Sequence, residues 1–170
     1  PGVAGEVRLI PWEGGPKRDA EPKILATHED VFFDVAFSPD GKQLAASGAD
    51  GSVRVFDMPA GTERLKISGH SDWVTGVCYS PDGKLLRSAE HRGGKGRSVS
   101  STSQRKPNHK RHNGLVREVV FAPDSKVLAS TGLDATIRLW DVSTGKEKAV
   151  LNGPKHGDVS LDFSPDGKLL

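Results

Sequence analysis

The chain has 170 residues, 35% hydrophobic and 27% charged, with 20 Gly, 11 Pro and a formal net charge of +2. That balance suits a globular domain with its own core, and the many Gly and Pro point to frequent turns, which favour an all-β chain over a helical one. Cys78 is the single cysteine, so no internal disulfide framework or paired-cysteine metal motif exists. A reducing compartment such as the cytoplasm is allowed but not assigned.

In chain order, the first candidate strand is Val7-Arg8-Leu9-Ile10. Before it, Pro1-Gly2-Val3-Ala4 offers neither an initiating Met nor a signal-peptide core, so the chain is expected to begin inside a longer protein. Val35-Ala36-Phe37 then alternates as a strand does, and Ser38-Pro39-Asp40-Gly41 breaks it, because proline fixes φ and glycine supplies a positive φ. Leu44-Ala45-Ala46-Ser47 makes a second strand, Ala49-Asp50-Gly51 a second turn, and Val53-Arg54-Val55-Phe56 a third strand. Gly61 opens a fourth, Thr62 to Ile67. Four short strands joined by turns predict one antiparallel sheet.

The unit repeats. Phe37-Ser38-Pro39-Asp40-Gly41-Lys42 returns as Tyr79-Ser80-Pro81-Asp82-Gly83-Lys84, as Phe121-Ala122-Pro123-Asp124-Ser125-Lys126 and as Phe163-Ser164-Pro165-Asp166-Gly167-Lys168, each step 42 residues. Val35, Val77, Val119 and Leu161 keep phase, as do Leu44, Leu86, Leu128 and Leu170. A fixed period of this length marks a solenoid, propeller or array.

The third unit carries His112, Pro123-Asp124, Ser130, Asp134 and Ile137-Arg138-Leu139-Trp140-Asp141; the second begins with Gly69-His70, and the first has His28, Asp50 and Phe56-Asp57. With the repeated turn, these residues resemble the WD40-repeat family. The resemblance implies an all-β chain, a β-propeller of four-stranded antiparallel blades, with about four consecutive repeats as a fragment of a larger ring. The expected divisions are 1–27, the third and fourth strands of a preceding blade; 28–69, blade one; 70–111, blade two; 112–153, blade three; and 154–170, the start of blade four. The remaining blades of the parent ring would be structural partners, since stacked neighbours bury a blade's faces and closure hides strand edges.

Blade two loses its pattern over residues 87–111. Arg92 stands at the phase of the turn Asp, Ser98 at that of the third-strand aromatic, and Lys95 and Arg97 at inward apolar positions. Eight Lys/Arg face Glu90 alone, a local charge of +7, and Ala89 and Val99 are the only apolar residues, so no strand there is expected to bury a face. Three readings compete: compensating frame changes in the coding sequence, ordinary divergence with disorder, and a basic nucleic-acid arm. The preserved spacing from His70 to His112 favours the first, and the lack of interleaved aromatics makes nucleic acid the weakest partner.

His112, Ser130 and Asp134 are the residue types of a hydrolase triad, but no Gly-x-Ser-x-Gly elbow surrounds a serine. The resemblance implies instead a buried hydrogen-bond chain through His112, Ser130, Asp134 and Trp140 that ties the turns of a blade together. His28 and Asp50 remain of it in blade one, where Ala46 and Phe56 replace the Ser and Trp; His70 and Ser88 remain in blade two. A zinc site of Cys78, His109 and His112 lacks a second cysteine, so no metal is expected, and no cofactor motif is present. Phe33, Trp73, Thr75, Leu115 and Arg117 lie by phase where the first strand of a blade begins, on the face such propellers present to partners. Trp73 and Arg117 are the leading anchors there. The expected function is a non-catalytic scaffold or adaptor for other proteins, with no membrane segment. The alternative is a propeller that orients substrate or regulates an enzyme domain elsewhere in a longer chain.

Overall fold

The computed structural model describes residues 5–10, 21–91, 97–100, 112–153 and 160–170, and these hold thirteen strands and no helix. Gly5–Leu9 (β1) and Lys23–His28 (β2) form a two-stranded antiparallel sheet. Phe32–Phe37 (β3), Gln43–Gly48 (β4), Ser52–Asp57 (β5) and Thr62–Ser68 (β6) make a four-stranded meander, as do Val116–Phe121 (β10), Val127–Gly132 (β11), Thr136–Asp141 (β12) and Glu147–Asn152 (β13). Between them, Val74–Tyr79 (β7), Leu86–Glu90 (β8) and Arg97–Ser100 (β9) form a three-stranded sheet. These are the antiparallel blades of a propeller.

The Ser-Pro-Asp-Gly turns close through side chains. Ser38 Oγ donates to Asp40 Oδ1 at 2.6 Å and the Lys42 amide donates to the same oxygen at 3.0 Å; Ser80 with Asp82 and Ser164 with Asp166 repeat the arrangement. Gly41, Gly83 and Gly167 hold φ between 68° and 70°, and Ser125 takes the equivalent place in blade three at φ 60°.

The core lies between sheets. Ala45, Val53 and Val55 of blade one meet Val74, Val77 and Leu86 of blade two; Ala89 of blade two meets Val116, Val119, Phe121, Leu128 and Trp140 of blade three. Val7 of the β1–β2 sheet meets Leu44, Ala46 and Phe56 of blade one. Side chains also stitch blade to blade. Asp34 Oδ2 accepts the Val77 amide at 2.9 Å and Glu118 Oε2 accepts the Leu161 amide at 2.8 Å. Gly76 stands at this phase in blade two, and there the Thr75 hydroxyl donates to Val116 O at 2.6 Å.

Blade two corrects one expectation. Arg87–Glu90 belong to β8 in regular register with β7, Ser88, Ala89 and Glu90 are buried, and β9 pairs with β8. A strand within 87–111 therefore does bury a face: Ala89 needs little room and Glu90 is hydrogen-bonded, so few apolar residues suffice. Arg92, Lys95, His109 and the side chain of Arg97 lie outside the described residues.

Candidate functional site

The polar centre of blade three is assembled from the chain preceding β10, from β11, from the turn after it and from β12. His112 Nε2 lies 2.8 Å from Ser130 Oγ, Trp140 Nε1 donates to the same Ser130 Oγ at 2.8 Å, and His112 Nδ1 lies 2.9 Å from Asp134 Oδ1. Because indole only donates and carboxylate only accepts, the order is set: Trp140 donates to Ser130, Ser130 to His112 Nε2, and the His112 Nδ1–H to Asp134. Asp134 Oδ2 also accepts the Asn113 amide at 2.8 Å, and its Oδ1 the Thr136 hydroxyl at 2.7 Å.

Electrostatics agree with this tautomer. Burial pushes His112 below its ordinary pKa despite the pull of Asp134, which keeps the ring neutral. Asp134 sits well below the usual carboxylate range: burial opposes ionisation, but the hydrogen bonds from His112, Thr136 and Asn113 outweigh it. His112 is 2% exposed and Ser130 1%. A serine nucleophile must meet a substrate carbonyl, and this one has both neighbours inside the blade. Both imidazole nitrogens are engaged inside the blade, one with Ser130 of β11 and one with Asp134 of the turn after it. Cys78 is half-buried against the core, and burial pushes its thiol up to about 12, far from a reactive thiolate.

The other blades differ. In blade one, Ala46 and Phe56 are buried with no polar link between them, and Asp50 accepts the Ser52 amide at 3.0 Å and hydroxyl at 2.6 Å, with Arg54 and Lys66 beside it. The His28 side chain is outside the described residues. In blade two, His70 Nε2 is 2.8 Å from Ser88 Oγ, and His70 Nδ1 lies 3.4 Å from Glu90 Oε2. Glu90 is 2% exposed and accepts both the amide and hydroxyl of Ser71, at 2.7 and 2.8 Å.

Sequence reasoning missed Glu90, although a signal was present. Its phase is that of Gly48 and Gly132. A Cβ at Gly132 would come within 2.4 Å of His112 Nδ1 and 3.0 Å of Asp134 Oδ1, so the glycine leaves room for the imidazole and the turn Asp that it meets. Blade two has lost that Asp to Arg92 and carries a carboxylate at the glycine position instead.

At the start of the first strands, Phe33 and Trp73 are 40% and 47% exposed, and Arg117 is exposed as well. Leu115 is half-buried. Thr75 does not project freely, since its hydroxyl is committed to Val116 O. Phe33 and Trp73 come together across the blade junction, with ring centroids 5.6 Å apart.

The family model described as "WD domain, G-beta repeat" matches residues 21–57, 61–94 and 103–141, more than half of the chain. The chain belongs to the WD40 repeat family. WD40 domains are generally non-catalytic and mediate protein–protein interactions, which marks this chain as a propeller-type interaction domain. Among curated proteins, Coronin-7 of Mus musculus and Coronin-7 of Rattus norvegicus each share 48% identity with it over 42 residues, 25% of this chain. The WD40 chain thus spans only about 5% of the length of those relatives in the matched stretch.

Proposed function

We propose that the protein is a scaffold or adaptor that presents the first-strand ends of its blades to another protein and carries out no chemistry. The observation that carries this reading is the contrast between two groups of side chains. His112, Ser130, Asp134 and Trp140 resemble catalytic machinery but are closed inside blade three, whereas Phe33 and Trp73 are large aromatics left half in water. Exposed aromatics in contact with each other at a surface match the anchors of protein interfaces. The test is quantitative capture of partners from a native extract by the protein and by its Phe33→Ala, Trp73→Ala and Ser130→Ala variants. Loss of a defined partner set with the first two, at unchanged melting temperature, supports the reading. Retention of every partner by both aromatic variants refutes it.

A further inference from the structure

β3, β7 and β10 each carry a bulge near their start. Phe32 pairs with Gly48 and Asp34 with Ser47; Val74 pairs with Glu90 and Gly76 with Ala89; Val116 pairs with Gly132 and Glu118 with Thr131. The extra residues are Phe33, Thr75 and Arg117, spaced 42 apart. A bulge bends its strand and re-aims a side chain. In blade one the result is contact with blade two: the Phe33 ring lies 5.6 Å from Trp73 at a 36° tilt, and Trp73 lies 5.5 Å from the His91 ring at 31°.

This row of rings sits at the surface, where β3 and β7 begin and β8 ends. Carboxylates flank it, since Asp34 follows Phe33 and Asp72 precedes Trp73. Asp34 is turned into the blade junction toward the Val77 amide. Asp72 stays at the surface: its Oδ1 accepts the Trp73 amide at 2.8 Å, its Oδ2 lies 3.1 Å from His91 Nδ1, and its side chain is 30% exposed.

We infer that the Phe33–Trp73 pair with Asp72 is a docking point for an arginine side chain of a protein partner, a conclusion that rests on the interaction-surface reading above and names the chemistry of its occupant. The indole face carries the negative end of the ring quadrupole, and a planar, weakly hydrated guanidinium stacks on such a face while its edge donates to a neighbouring carboxylate. An acidic side chain would meet both the ring face and Asp72 with the wrong sign. A purely apolar one would take water from Asp72 and return no donor. Arg117 lies two blades on from Phe33, with Thr75 between them in the series, and so faces a different part of the partner.

The probes are N-acetyl-Gly-Arg-Gly-amide, its citrulline isostere, which keeps the shape and removes the charge, and its Glu counterpart. The readout is the Trp73 indole N–H signal in NMR, assigned through Trp73→Phe. The arginine peptide is expected to move that signal saturably, to bind about tenfold more tightly than the citrulline peptide, and to weaken with added salt. Asp72→Asn, which keeps an acceptor for the Trp73 amide, should shrink the arginine-over-citrulline ratio toward unity without changing the melting temperature. Equal binding of arginine and citrulline peptides, preference for the Glu peptide, or no response to any probe overturns the inference. Capture of partners through Phe33 and Trp73 is measured separately, so the wider reading survives or fails on its own.

Discussion

Trp140→Phe isolates the hydrogen-bond chain of blade three. The indole is 7% exposed and its donor meets a Ser130 hydroxyl that is 1% exposed, so water cannot replace the lost partner. Removing the donor costs roughly 1–3 kcal/mol, and the space left by the missing part of the indole adds on the order of 1 kcal/mol. Ser130→Ala strands both the Trp140 N–H and His112 Nε2 and costs a similar amount, about 1–3 kcal/mol. The double variant recreates the Ala46 and Phe56 pair of blade one and leaves only His112 Nε2 without a partner. Its cost should therefore fall short of the sum of the singles by about 1 kcal/mol. Equilibrium urea denaturation, followed by circular dichroism and compared through midpoints at constant slope, gives these values. An unchanged midpoint for Trp140→Phe, or strict additivity in the double variant, would refute the network as drawn.

Lowering the pH should weaken the same blade in two stages. His112 has a depressed pKa in the fold, so its contribution is complete above the unfolded value of 6.5 and drains as pH falls below it. The depressed Asp134 adds a further loss as pH falls below its unfolded value of 3.8, and His112→Gln should remove the upper stage of a stability-versus-pH curve and shrink, without abolishing, the lower, since Thr136 and Asn113 still donate to Asp134. Gly132→Ala places a methyl against the imidazole and should cost about 1–3 kcal/mol by overpacking, read as a lower melting temperature. Ala135→Gly should instead stabilise by up to about 1 kcal/mol, since Ala135 sits at φ 56° where blade one has Gly51, and an unchanged or lower denaturation midpoint would contradict it. Glu90→Ala is expected to cost roughly 1–3 kcal/mol by leaving the Ser71 amide without its acceptor, and calorimetry showing no loss would detach Glu90 from the fold of blade two.

Much of this was legible because turn chemistry is local. Pro39, Asp40 and Gly41 announce their turn from their own dihedral preferences and side-chain reach, and the strands between turns follow from alternation. The phase put Phe33 and Trp73 where the first strands begin, although neither the bulge nor the contact between them can be read from it, since both depend on how two blades twist against each other. Glu90 escaped for a different reason. Its partner His70 is in phase, but the carboxylate reaches His70 from the end of a strand rather than from the following turn, so a template that waits for an acid at position 92 finds only Arg92.

The stitches at the first strands of the blades have a polarity. At the Asp34–Val77 and Glu118–Leu161 contacts the earlier blade supplies the specific side chain and the later blade supplies only a main-chain amide, which every residue but proline possesses. Thr75 follows the same rule with the roles of donor and acceptor exchanged, reaching forward to a main-chain carbonyl. At these first-strand contacts a following blade needs only a formed first strand, whereas the Tyr79–Gln43 and Asp82–Ser125 hydrogen bonds and the packing of Val74, Val77 and Leu86 against blade one still depend on its side chains. Such one-sided fastening leaves these positions of the following blade free to vary in side chain without a matching change at Asp34, Thr75 or Glu118.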